Sequence, residues 1–167
     1  MSHVVLFDLD GVIADWSHRL PLGVGTDEFY AAMPNDAPIE AGCTIFNYLV
    51  MHCAMVNNEI VAKNIGMEMT FVDIISCRPN KMRQTTVDWL SANDLFMPRN
   101  LHLRADNDDR PHWRIKLDMY EQFYKGRENV LVLFEDNAET IAAFRGEGVC
   151  CYQVCDGIEP SRIITRH

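Results

Sequence analysis

The chain has 167 residues, of which 48% are hydrophobic and 23% charged, and it carries a formal net charge of −9 at pH 7. That composition is ordinary for a globular protein long enough to bury a core without staples, and the acidity argues against a general nucleic-acid coat, which needs clustered lysine and arginine. No apolar run approaches the roughly 20 residues of a membrane span, the amino terminus lacks the features of a secretory signal, and six cysteines without a C-x-x-C pair suit reduced thiols, so a cytoplasmic protein with no membrane partner is expected.

Val4 to Phe7 reads as a fully buried strand that carries Asp8 at its carboxyl end, with Asp10 two residues on and Gly11 turning the chain away. The two carboxylates alternate with Leu9 and leave on one side, close enough to share a divalent cation or a phosphoryl group. A calcium loop is the competing reading of Asp-x-Asp-Gly, but Val12, Ile13 and Ala14 offer no side-chain oxygen. Trp16 to Gly25 is a polar loop, followed by a short helix capped by Thr26 or Asp27 and ended by Pro34. Pro38 to about Met55 carries a longer apolar helix, and Val56 to Glu68 is a separate methionine-rich segment.

Thr70 to Ser76 is a second buried strand, with Ser76 and Arg78 at and beyond its end, and Arg83 to Asn93 an amphipathic helix. Leu101 to Arg104 is a third strand, Pro111 to Tyr124 a helix with proline in its first turn, and Asn129 to Phe134 a fourth strand, followed by Glu135 and Asp136. A helix from Asn137 to Arg145, a strand from Val149 to Val154 and a polar tail complete the chain. Strands alternating with helices at this spacing imply a parallel sheet covered on both faces, a three-layer α/β/α Rossmann-like fold in one domain spanning 1–167.

In such sheets the carboxyl ends of neighbouring strands open onto one crevice. Four groups are expected there: Asp8 with Asp10, Ser76 with Arg78, Lys116 on the helix after the third strand, and Glu135 with Asp136. They supply what phosphoryl transfer needs, namely a nucleophile, a hydroxyl and a cation for phosphate oxygens, and a further carboxylate for a metal. Arg78 could contact substrate or pair with an acidic neighbour, and Glu135 could orient Asp136 or reach the metal through water. From Arg78 to Lys116 eight basic residues face five acidic ones, a local balance of +3 that leaves −12 for the rest. A cationic rim of that kind suits a small phosphorylated group or a short nucleic-acid end. Met51, Met55, Met67 and Met69 are assigned to the core or to a subunit contact, the latter implying a homo-oligomer. Cys77 is read as a buried thiol, and the cluster from Asp106 to Asp109 as a solvated turn.

The strings FDLDGV, IISCRP, Lys116 and FEDN, in this order, resemble the haloacid dehalogenase (HAD) superfamily of phosphohydrolases. Within it, RADNDDRPHWRIK is similar to the 3'-phosphatase domains of bacteriophage polynucleotide kinases, in which arginine, aspartate, arginine and lysine recur at the spacing of Arg104, Asp108, Arg110 and Lys116. His112 and Trp113 stand where that pattern is acidic, and Val12 where threonine is usual. The resemblance implies a HAD-like fold with a small helical lid or cap within about 16–68. It also implies Asp8 as nucleophile, Asp10 as acid and base, and Lys116 as a catalytic cation. Ser76, Arg78, Arg104 and Arg110 would bind substrate, and Asp8, Asp10 through its backbone carbonyl, Asp136 and Glu135 would hold Mg2+. The expected substrate is a phosphorylated nucleic-acid end, with a free (deoxy)nucleoside monophosphate as the alternative; a non-catalytic phosphate- or metal-binding module of the same fold is the third reading.

Overall fold

The computed structural model describes residues 1–155. In chain order its elements are β1 (His3–Phe7), β2 (Ala14–Asp15), α1 (Asp27–Ala31), β3 (Ala37–Pro38), α2 (Glu40–Ala62), β4 (Thr70–Pro79), α3 (Arg83–Ala92), β5 (Leu101–Arg104), α4 (His112–Phe123), β6 (Asn129–Glu135), α5 (Ala138–Gly146) and β7 (Cys151–Gln153). Five strands form one parallel sheet in the order β5-β4-β1-β6-β7. The chain moves outward from β1 through β4 to β5, then returns to the other side of β1 for β6 and β7. The order therefore reverses between β1 and β6, and ligand crevices in doubly wound sheets open at that point.

Helices cover both faces, as the expected three-layer fold requires. On one face Val5, Phe7, Val72 and Ile74 pack with Phe46 and Cys53 of α2 and Trp89 and Leu90 of α3. Phe7 stacks on Phe134 at 4.5 Å and meets Phe46 edge-on at 5.3 Å. On the other face Val4, Leu6, Ile75 and Leu133 pack with Ile115 and Met119 of α4 and Ile141 and Phe144 of α5. The central strand β1 is apolar on both sides because both sides are covered.

The structure differs from several of these expectations. Residues 56–62 continue α2 rather than forming a separate segment, because nothing breaks the helix before Asn64, whose φ of 48° ends it. The insertion ahead of the first core helix is thus confined to about residues 16–38, and the antiparallel β2–β3 ribbon clasps its two ends together. β4 runs on to Pro79, so Ser76 and Arg78 lie inside the strand's last turns of pleat and not beyond it. Met51, Met55, Met67 and Met69 are at least one-third exposed and lie outside the core. The last strand is shorter than expected, and the polar tail lies outside the described residues. Thr26 is the cap of α1, accepting from the Phe29 amide, and Cys151 is buried while Cys150 is exposed. No helix among the described residues is long and apolar enough to cross a membrane.

Candidate active site

β1 delivers Asp8 into the crevice. Its amide donates to the Phe134 carbonyl at 2.9 Å, which fixes the residue beside the end of β6. The chain then folds into a tight loop in which the Gly11 amide bonds the Ala14 carbonyl at 2.8 Å. Gly11 has φ of 89°, and a β-carbon there would stand 2.2 Å from Asp136 Oδ2. Only glycine combines that backbone conformation with such close approach of the carboxylate.

Three buried carboxylates meet at this point. Ligand oxygens of Asp8, Glu135 and Asp136 lie within 4.8 Å of one another. Lys116, projecting from α4 and only 3% exposed, places Nζ 2.9 Å from Asp8 Oδ1 and 2.7 Å from Glu135 Oε2. One ammonium among three acids leaves the cluster short of positive charge. Burial, with Glu135 adding to it, pushes the Asp8 carboxyl up to about 8 in spite of Lys116. Burial and the nearby Asp8 lift Asp136 to about 6, and burial also raises Glu135. Lys116 is held well above its ordinary value: burial opposes its charge, but Asp8 and Glu135 outweigh it. Hard oxygen donors, close spacing and unbalanced negative charge are what Mg2+ or another hard divalent cation binds. The residues present fit such an ion.

The Asp10 carboxylate stands outside this cluster, which leaves the role expected of Asp10 at the metal to its backbone carbonyl. Arg78 grips it through Nε at 3.0 Å and Nη2 at 2.6 Å, and Arg19 Nη2 adds a bond at 2.7 Å. Both arginines also bind Asp36, at 2.9 Å from Arg19 and 2.7 Å from Arg78. Asp36 is further held by His18 Nε2 at 2.9 Å. Burial alone would raise the Asp10 carboxyl, but Arg78 and then Arg19 bring it below its usual range. For Asp36, burial prevails over the same arginines and the group is raised. Arg19, Asp36 and Arg78 are all nearly inaccessible. Nη1 of Arg78 is buried and has no partner among the described residues, and buried Ser76 Oγ accepts from the Arg78 backbone amide at 3.2 Å.

Sequence reasoning missed Arg19 and Asp36. Both sit in the aperiodic insertion, where no hydrophobic rhythm or strand end marks a position as inward-facing. The only signal was a basic residue within a clamped loop, since Trp16 and Phe29 give Arg19 its aromatic bed, with the guanidinium 4.6 Å above the Phe29 ring.

Arg104 and Arg110 lie farther out. Arg104 spends its guanidinium on the Cys77 carbonyl (2.7 Å), the Asp108 carbonyl (3.0 Å) and the Tyr30 hydroxyl (2.7 Å), and so ties the insertion to the loop after β5. Arg110 is bound by Asp108 and Asp118, each at 2.7 Å. An open depression of about 490 Å³ lies there, lined by Arg104, Arg110, Asp106, Asp118, Met119 and Phe123. The expected cationic rim is therefore largely neutralised within the fold: Arg99 too is bound, by Asp73 and Glu128.

This sheet, with paired aspartates after its central strand and an acidic pair on the next, defines a phosphatase of the HAD superfamily. Over residues 2–158 the chain matches the family described as the polynucleotide kinase PNKP phosphatase domain, and it belongs to that family. Two solved structures share its fold: a chain of a Pnkp1/Rnl/Hen1 complex, 22% identical with a TM-score of 0.68, and a chain of the Pnkp1/Rnl/Hen1 RNA repair complex, 19% identical with a TM-score of 0.73. Each similarity covers 95% of this chain but only 48% and 44% of the other, so the chain spans less than half the length of these relatives. Among curated proteins none matches in sequence.

Proposed function

We propose that the protein is a divalent-metal-dependent phosphomonoesterase that removes a terminal 3'-phosphate from a nucleic-acid strand by way of an aspartyl-phosphate on Asp8. The observation that carries the reading is the division of labour between the two aspartates: Asp8 lies against Lys116 in the acidic cluster, while Asp10 is withdrawn from that cluster and fixed by two buried arginines.

Asp8 attacks phosphorus in line, the phosphorus–oxygen bond to the leaving hydroxyl breaks, and hydrolysis becomes two displacements. Lys116 holds a phosphate oxygen and favours the ionised form of Asp8 against the burial that opposes it, as its pairing distance suits. The unpartnered Arg78 Nη1 and the Ser76 hydroxyl are placed to receive the other oxygens. Asp8, Glu135 and Asp136 would hold Mg2+, which would supply the charge neutralisation that lets an anionic nucleophile approach an anionic phosphate. Asp10 protonates the departing hydroxyl and later takes a proton from the attacking water. Because Arg78 and Arg19 hold it as an anion in the free protein, the proton for the first step enters with the substrate phosphate as its monoanion.

The substrate class rests on the family match and on the size of the insertion, which at residues 16–38 leaves the crevice open to a strand end. The structural relative from an RNA repair complex supports the same choice. Arg104 and Arg110 are proposed to shape the approach rather than to grip phosphate, given their internal partners. The test is phosphate release from one oligonucleotide bearing a 3'-phosphate, the same strand bearing a 5'-phosphate, and a 3'-mononucleotide. Preference for the first, abolished by chelator and by Asp8→Asn, is expected. Turnover of the mononucleotide alone, or of the 5'-phosphorylated strand alone, would overturn the substrate assignment.

A further inference from the structure

Among the described residues nothing covers the outward face of α2. This helix of 23 residues, about 34 Å long at 1.5 Å per residue, turns Phe46, Cys53 and Ile60 into the core. Its opposite face is also apolar: Tyr48 is 57% exposed, Met51 46% and Met55 64%. From Ala41 to Asn58 no residue is Asp, Glu, Lys or Arg, and the one histidine, His52, stacks on Tyr48. A surface helix ordinarily carries charge on its solvent side, so this face departs from the rule along most of its length.

The patch extends beyond the helix. Asn47 binds the Asp94 carbonyl and the Phe96 amide, which seats exposed Phe96 and Met97 along one flank, while Ile45 is exposed on the other. Tyr48, Met51, Met55, Ile45, Phe96 and Met97 together offer roughly 600 Å² of apolar surface, the upper end of what the largest patch on a monomer shows. Two such patches face to face would bury roughly 1,200 Å², the lower bound for a stable interface.

The pattern also selects the partner. The exposed positions along the seam fall at alternating steps of three and four residues, from Ala41 and Thr44 through Tyr48, Met51 and Met55 to Asn58 and Ala62. That is the spacing of a helix packing seam, and it reads almost the same in reverse: small residues at both ends, polar ones next, bulky ones in the middle. Turned end for end about Met51, Tyr48 faces Met55, Thr44 faces Asn58 and Ala41 faces Ala62. An isologous contact needs a surface complementary to itself under a two-fold axis, and an uncharged stretch gives an oppositely charged partner no handle. We infer that α2 packs antiparallel on α2 of a second copy of this chain, with the two-fold axis near Met51, and that Tyr48 of each copy lies against Met55 of the other, an aromatic–thioether contact.

The test is sedimentation velocity at micromolar concentration on the whole chain, with Tyr48→Glu and Met55→Lys as variants. The wild-type chain should run as a dimer, and each variant as a monomer whose association is weakened more than about tenfold. Phosphate release per chain should be unchanged, since neither side chain touches the crevice. Mixing the two variants should restore a heterodimer, because the antiparallel arrangement sets the introduced carboxylate of one variant against the introduced ammonium of the other while the second contact stays native. A monomeric wild-type chain overturns the inference. So does a dimer that both variants leave intact, and failure of the mixture to associate overturns the antiparallel arrangement.

Discussion

Replacing Lys116 by methionine keeps the aliphatic stem and removes the only ammonium that the described residues place among Asp8, Glu135 and Asp136. Two carboxylates that shared a cation at 2.9 and 2.7 Å are left in a site where both residues are nearly inaccessible. Removing one partner of a buried ion pair costs about 3–5 kcal/mol, and here the cost should depend on pH, because the cluster can replace the lost charge by taking up one proton. With an unfolded-state carboxyl near 4.3, holding that extra proton in the native state costs ~1.6 kcal/mol at pH 5.5 and ~4.4 kcal/mol at pH 7.5. The sign follows from linkage: the native variant binds one proton more than the native wild type while the unfolded chains bind alike, so the loss of stability grows as pH rises. Urea unfolding of both proteins in chelator at the two pH values gives the difference directly. A loss that is equal at both values, or larger at pH 5.5, would refute the pairing of Lys116 with ionised carboxylates.

Four further outcomes are expected. Gly11→Ala forces a side chain into φ of 89° and 2.2 Å from Asp136 Oδ2; it should cost about 1–2 kcal/mol for the backbone alone and shrink the Mg2+-induced rise in melting temperature, and an unchanged Mg2+ titration would contradict the close approach. In the metal-free protein Asp136 is raised to about 6 by burial and by Asp8, so stability from this group is present below its unfolded value and is lost as pH climbs through about 6, by about 3 kcal/mol. The melting-temperature gain from Mg2+ should therefore be larger at pH 7.5 than at pH 5, and a gain that is flat with pH counts against the cluster as the binding site. Asp73 is wholly buried and accepts from Arg99, Asn100 and the Tyr124 hydroxyl; Asp73→Ala should lower stability by about 3 kcal/mol while kcat/KM measured below the melting transition stays at the wild-type value. If the leaving group's proton arrives with the substrate, kcat/KM for an alkyl phosphate should fall as pH rises past roughly 6, whereas a nitrophenyl ester, whose leaving group needs no proton, should show no such fall.

Strand ends were legible because their chemistry stands next to a strong pattern. Asp8, Asp10, Glu135 and Asp136 each follow a run of β-branched or aromatic residues, and a parallel sheet fixes where such residues emerge. Lys116 was found only through its spacing from Arg110; by itself it is one lysine on a helix. What local pattern does not hold is the partner of a charge. Arg78 reads as part of a cationic stretch, yet its bonds go to Asp10 and Asp36, 68 and 42 residues away. Arg99 likewise meets Asp73 across 26 residues, so counting charges along the chain overstated the free positive rim. The length of α2 was obscured for a related reason: a helix apolar all round has no amphipathic rhythm to follow, and its methionines read equally well as core.

The buried charges of the crevice divide into two unequal halves. Arg19 and Arg78 face Asp10 and Asp36, two cations against two anions, bonded crosswise and clamped by the insertion. Lys116 faces Asp8, Glu135 and Asp136 alone, one cation against three anions, which leaves a formal deficit of two positive charges when all are ionised. The two aspartates of one motif thus occupy opposite electrostatic environments and their affinities for protons move apart: Asp10 falls below the ordinary carboxylate range while Asp8 rises far above it. A deficit of two is the charge of one divalent ion, and the half that lacks it is the half in which Gly11 leaves room for Asp136 to close in. The insertion thus acts on the chemistry without entering the metal cluster. By committing Arg19 to Asp10 and Asp36, it keeps both arginines on the Asp10 side and leaves Lys116 as the one cation among the described residues on the Asp8 side, where under the proposed function a second anionic group, the substrate phosphate, would enter together with a compensating positive ion.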